Sequence, residues 1–272
     1  MDSINSSQPH NASAGLTSSG PVIKLPRAGL NWSYQFQQYG TALAIALVLF
    51  ALFSVYLFYR RGYYDLYIIN KIFAGVGTIL LGLVLLLGML CRLFKTFDKY
   101  LQYRKELGIV AFFLIIAHVL SSYFFLSDKF PQARFFSSGL WPFIFGLLGT
   151  ILLVVVFAIS NEWMRAKLGN QRWWPMQYWG ARLIFIFTIL HVFFMKYSGW
   201  LSWYQKGGAK ELARPDWPGA GLIVGWFMFF VVLNRLAEAI NGKLGKAVWY
   251  FSLVFFPLVI IFTFWWGQRF VR

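Results

Sequence analysis

Seven stretches of this chain, each roughly 18 to 25 residues long and nearly free of charge, are too apolar to fold anywhere but in a lipid bilayer. They run over about Gly40–Tyr59, Ile69–Leu93, Leu107–Leu126, Gly139–Ser160, Trp179–Tyr197, Ala220–Ile240 and Val248–Trp266. Hydrocarbon supplies no hydrogen-bond partner for a bare backbone, so each stretch is expected to be a helix. The fold expected is therefore all-α, a polytopic membrane helix bundle. Composition agrees: a chain 59% hydrophobic and only 12% charged would expose wide apolar patches if it were soluble.

The connections are short. The longest, Ser198 to Gly219, carries Gly207, Gly208, Pro215 and Pro218, and none has room for a soluble domain. Residues 1–35 are rich in Ser, Asn, Gly and Pro and read as a disordered tail. The tail shows no basic start followed by an apolar stretch, and so no secretory leader. His10 and the Asn-x-Ser triplets at Asn5, Asn11 and Asn31 carry no assigned role.

A net charge of +16 invites a nucleic-acid reading. The basic residues fall instead in loops and at helix ends, as anchoring in an anionic bilayer requires, and no nucleic-acid motif is present. Fourteen of the 25 lie on the side shared by the N-terminus and the loops after the second, fourth and sixth helices, which favours a cytoplasmic N-terminus. A single cysteine, Cys91, excludes an intramolecular disulfide and any multi-cysteine metal site.

Two of the three histidines, His118 and His191, sit inside the third and fifth apolar runs. An ionisable ring at that depth needs a partner, which makes each a candidate functional residue. The two helices cross in the same direction. Counted from the expected helix starts, the rings lie roughly 16 and 18 Å along their axes, slightly past the midplane. Two imidazoles at one depth on parallel helices suit the axial positions of a haem iron. Ala111, Ser121 and Ser122 beside His118, and Gly180 and Thr188 beside His191, are small enough to admit a flat macrocycle, or else to let helices pack. Zinc fits less well, because neither cysteine nor an acidic cluster accompanies the pair.

The residues around these histidines form a pattern. Tyr103-Arg104-Lys105-Glu106-Leu107-Gly108 leads into Ala111-Phe112-Phe113 and His118; Ser160 closes the fourth helix, Leu168-Gly169 and Trp173-Trp174 follow, and Leu190-His191 ends the fifth. From about Ile69 to Tyr197 this resembles the ferric reductase-like transmembrane superfamily, nearest to its MsrQ-type haem-binding membrane subunits. The resemblance implies a six-helix ferric reductase-like haem domain over 36–242, with 243–272 as an additional C-terminal transmembrane helix. It implies one haem b, with His118 and His191 as iron ligands, in a bacterial inner membrane. It departs at Tyr178, thirteen residues before His191, where the family places a further histidine. Thirteen residues of ideal helix turn about 220° beyond three full turns, so Tyr178 does not share the His191 face and reads as an interfacial anchor.

Iron with both axial positions filled passes single electrons and has no vacancy for substrate. The expected activity is thus electron transfer, with no catalytic residues. Donor and acceptor are separate: a reductase or a quinol on one side, an acceptor protein or metal on the other. No G-x-G-x-x-G follows a strand, and neither flavin nor quinone has residues to support it. Lys129 and Lys196 are candidate cations for the haem propionates. The basic stretch Arg92 to Lys105 is either positive-inside charge or a dock for an acidic donor or a flavin phosphate. The competing readings are a membrane transporter and a non-redox scaffold without haem. Against transport, the interiors of helices three to five lack Asp and Glu, and Asn234, Arg235 and Glu238 cluster near the end of helix six, where the interface suffices.

Overall fold

In the computed structural model the described residues are 32–271, so His10, the triplets at Asn5, Asn11 and Asn31, and most of the expected tail lie outside them. Among the described residues there are helices and no strands, and seven of the helical stretches are long and apolar enough to cross a membrane. The chain is a polytopic helical membrane protein.

The hub is α2 (Leu66–Leu93), which packs against α1 (Trp32–Arg61), α3 (Arg104–Leu120), α7 (Asn170–Lys206), α8 (Ala220–Ile240) and α9 (Gly242–Gly267). Its first turn is capped by Asp65, whose Oδ1 accepts from the Ile68 amide at 2.9 Å. Ile68, Ile72, Val76, Leu80 and Met89 are all completely buried, so α2 buries apolar residues on several faces. That requires neighbours to come close, and two glycines allow it. A Cβ on Gly77 would lie 2.8 Å from Ile115 of α3, and one on Gly82 would strike the Phe227 ring of α8. The outer helices show lipid the faces that α2 hides: Leu47, Leu52 and Val55 of α1 and Val254, Leu258 and Ile261 of α9 are all exposed.

Several helices run past the expected ends. The third span begins with a 3-10 segment, Lys95–Tyr103, and continues beyond α3 through a π turn at Ser121–Phe125. A short helix, α4 (Gln132–Phe135), leads to α5 (Leu140–Ala158), and α6 (Glu162–Leu168) joins α5 to α7. The fifth span shows the largest difference. It has 37 residues rather than the apolar core Trp179–Tyr197, a length of about 55 Å against a hydrocarbon core of about 30 Å. Hydropathy registers only the part in contact with acyl chains; the polar and tryptophan-rich ends continue the helix into the headgroup zone. The long connection expected from Ser198 therefore begins only at Gly207, whose φ of +77° ends α7. That connection is pinned to α1. Arg60 Nε donates to the Trp217 carbonyl at 3.0 Å, and the Tyr56 hydroxyl donates to that of Pro218.

Asn234 is not at an interface. It is fully buried between α8 and α9, where its Nδ2 donates to Ser252 Oγ at 2.9 Å and to the Phe230 carbonyl at 2.9 Å. Asn234→Ala leaves Ser252 short of a partner in a dry contact. It is expected to cost about 1–3 kcal/mol, read as a lower unfolding midpoint in detergent. Phe251→Ala on the lipid-exposed face of α9 should leave that midpoint nearly unchanged; equal losses in both variants count against a structural role for the Asn234–Ser252 pair.

Candidate functional site

His118 lies in the last turn of α3, and α2 holds it. Its Nδ1 is 2.8 Å from Asn70 Oδ1 and 3.2 Å from the Asn70 carbonyl. Asn70 is fully buried, and its Nδ2 donates to Ser122 Oγ at 2.9 Å from within the π turn. With the amide nitrogen spent on Ser122, only acceptors face the ring, so Nδ1 carries the proton. Nε2 is left with its lone pair and makes no hydrogen bond among the described residues.

His191 reaches the same condition by another route. Its Nδ1 lies 2.7 Å from the Pro142 carbonyl in the first turn of α5. A carbonyl only accepts, which fixes the proton on Nδ1 here too and leaves the Nε2 lone pair free. One turn further along α5 is Gly146, where a Cβ would sit 2.7 Å from the same ring nitrogen. Only glycine lets the imidazole approach the carbonyl.

Depth follows from these partners rather than from helix starts. Because α7 begins at Asn170, His191 lies 21 residues into it, and counting from helix starts no longer matches it to His118. Yet Asn70 is in the first turn of α2 and Pro142 in the first turn of α5, and both helices set out from the side opposite the N-terminus. The two rings therefore lie near that same side of the bundle. His191 is an electrostatic neighbour of His118, and Lys196 of both. The Lys196 stem runs along Gly221 of α8, 3.6 Å from where a Cβ on that glycine would be. Lys129 is exposed in the turn after the π segment. A cation the sequence reading missed, Lys71, follows Asn70 on α2, interacts electrostatically with Lys196, and sits 3.7 Å over the Tyr67 ring.

Of the two roles open to the small residues, helix packing is the one seen at Ala111 and Gly180. Ala111 is fully buried with its carbonyl against Gly77, and Gly180 packs against Val156 of α5, so both serve helix contact. Thr188 spends its hydroxyl on the Ile184 carbonyl at 2.9 Å. The glycine that touches a histidine is Gly146, which the sequence reading did not single out. Tyr178 is about 20 Å of helix away from His191. The Arg182 guanidinium lies 3.2 Å over its ring, and Arg92 approaches its hydroxyl at 3.5 Å. Among the described residues no three His, Cys, Asp or Glu side chains gather as a metal site.

The family described as ferric reductase like transmembrane component matches residues 73–181. Over that stretch the chain is similar to this family, a likeness that points to electron transfer in membranes. The match takes in His118 and Tyr178 and stops ten residues short of His191. No curated protein matches the chain.

Gly146→Ala should displace the His191 ring from Pro142 and destabilise the protein by about 1–3 kcal/mol. Gly199→Ala, at a position of α7 with nothing within 4 Å of a new Cβ, should be neutral or slightly stabilising. Thermal midpoints in detergent compare the two, and a harmless Gly146→Ala would show that the close approach is not required.

Proposed function

We propose that this protein is a membrane electron carrier that holds one haem b between His118 and His191. The observation that supports it most directly is the shared state of the two rings. Each has its Nδ1 proton committed to an acceptor and its Nε2 lone pair free, as an orienting hydrogen bond on the distal nitrogen leaves a metal-bound histidine. A structural packing histidine has no need for both conditions twice, near one side of one bundle. The ferric reductase-like match over 73–181 supports the same reading. When bound, the haem iron supplies one-electron transfer.

The chain's own residues then have separable tasks. Asn70 fixes the orientation of His118, and Ser122 fixes Asn70. Pro142 fixes His191, with Gly146 admitting the ring. Lys196 and Lys71 are the cations placed to meet propionate carboxylates. Electrons come from a separate reductase or a membrane quinol and leave to an acceptor protein or metal, with the N-terminus in the cytoplasm; the nearest resemblance is to MsrQ-type haem-binding subunits.

Protein purified after expression with ample haem should show a reduced-minus-oxidised low-spin b-type spectrum at about one haem per chain. His118→Ala and His191→Ala should each remove most of it, and Tyr178→Phe should leave it intact. Asn70→Leu should lower haem retention roughly tenfold, the usual scale for loss of an orienting partner. Folded wild-type protein that carries no haem under these conditions overturns the proposal and favours the scaffold reading.

A further inference from the structure

At the other end of the bundle, the N-terminal side, four arginines from four helices converge. Arg92 lies in the last turn of α2, Arg104 is the first residue of α3, Arg182 lies on α7, and Arg235 is near the end of α8. Arg92 and Arg182 meet at Tyr178: Arg182 covers its ring and donates to its carbonyl at 2.7 Å, and Arg92 approaches its hydroxyl. Arg92 and Arg235 meet at Glu238, at 2.6 and 3.1 Å, one on each carboxylate oxygen. Arg92 and Arg104 meet over Gly88. Arg92 Nε donates to the Gly88 carbonyl at 3.2 Å, and the Arg104 guanidinium lies 3.6 Å from where a Cβ on Gly88 would be. Arg104, Arg182 and Arg235 are all electrostatic neighbours of one another.

The charges do not balance. Among the described residues one carboxylate, Glu238, is ion-paired to any of the four guanidiniums, and both of its oxygens are taken. Arg104 is half-buried and makes no hydrogen bond or ion pair among the described residues. Glu106, the carboxylate nearest to it in sequence, is two positions on and so on another side of the helix. Bringing like charges out of water toward one another is unfavourable unless something anionic joins them. Guanidinium forks match a phosphate geometrically. The place indicates where the phosphate comes from. Trp174 and Trp179, both largely exposed on α7, mark the headgroup level just outside Arg182, and basic pockets between membrane helices at that level bind acidic headgroups.

We propose that Arg92, Arg104, Arg182 and Arg235 form a phosphate-binding site at the bilayer boundary that takes the headgroup of an acidic phospholipid. It lies at the opposite end from the histidines and does not rest on the haem reading.

The test uses full-length protein in nanodiscs of phosphatidylcholine alone or with phosphatidic acid, and in detergent with inorganic phosphate. The readouts are the unfolding midpoint by tryptophan emission and the lipid retained in native mass spectrometry. Acidic lipid should raise the midpoint and stay bound. Arg104→Gln and Arg182→Gln should each weaken retention roughly tenfold, the scale of one charge-assisted hydrogen bond. Lys243→Gln, an exposed cation on the same side, should change neither readout. Equal stabilisation by inorganic phosphate upholds the phosphate site and overturns the lipid as its source. No discrimination between acidic and zwitterionic lipid by the wild type overturns the site, whatever the variants do. So does a loss in Lys243→Gln as large as in Arg104→Gln.

Discussion

In hydrocarbon an imidazole has no water to satisfy it, so the hydrogen bond at one ring nitrogen governs what the other can do. At His118 that bond comes from Asn70, and at His191 from Pro142. Much of the architecture around them exists to make those two contacts possible. The first depends on α2 being buried in the centre of the bundle, where a polar Asn70 is tolerable only because it is itself satisfied on three sides, by the two histidine contacts and Ser122. The second depends on α5 lying close to α7 at Gly146. Either ring would be an expensive polar group without its partner; with it, each becomes a directed lone pair.

The bundle is electrically asymmetric along its axis. Near the side opposite the N-terminus lie the two imidazoles, with Lys71 and Lys196 beside them. Near the N-terminal side lies the cluster of Arg92, Arg104, Arg182 and Arg235 with Glu238. Between these ends the helices are held by apolar packing on α2, with the Asn234–Ser252 pair fixing α8 to α9. Asn70, Asn234 and the two imidazoles thus each have a hydrogen-bond partner on a neighbouring helix. A hydrocarbon solvent demands that arrangement.

The seven spans and the histidine pair were legible because apolar length and a lone ionisable ring are local signals. What failed was everything that depends on which face meets which helix. Ala111 and Gly180 share faces with the histidines in sequence, yet each turned out to contact a neighbouring helix, because α2 and α5 lie there. Gly146 and Asn70 sit 45 and 48 residues from the histidines they serve. No spacing rule reaches that far. The start of α7 was placed too late because a hydropathy window stops where tryptophans and arginines begin, although the hydrogen-bonded helix does not. Glu238 and Arg235 looked like ordinary interfacial residues for the same reason: their partner, Arg92, belongs to another span.

Tyr178 ties the two ends of this account together. The family that the sequence resembles places a histidine where this chain has tyrosine, and the structure shows what surrounds that position. An imidazolium there would face Arg92 and Arg182 directly, with the Arg182 guanidinium 3.2 Å over the aromatic plane. A tyrosine suits the place: its ring face attracts a cation and its hydroxyl can accept a hydrogen bond from one. Tyr178 and the arginines around it thus form one arrangement at the N-terminal side of the bundle. The end of the bundle away from the histidines is therefore the end that gathers guanidiniums, and with them the proposed site for negative charge.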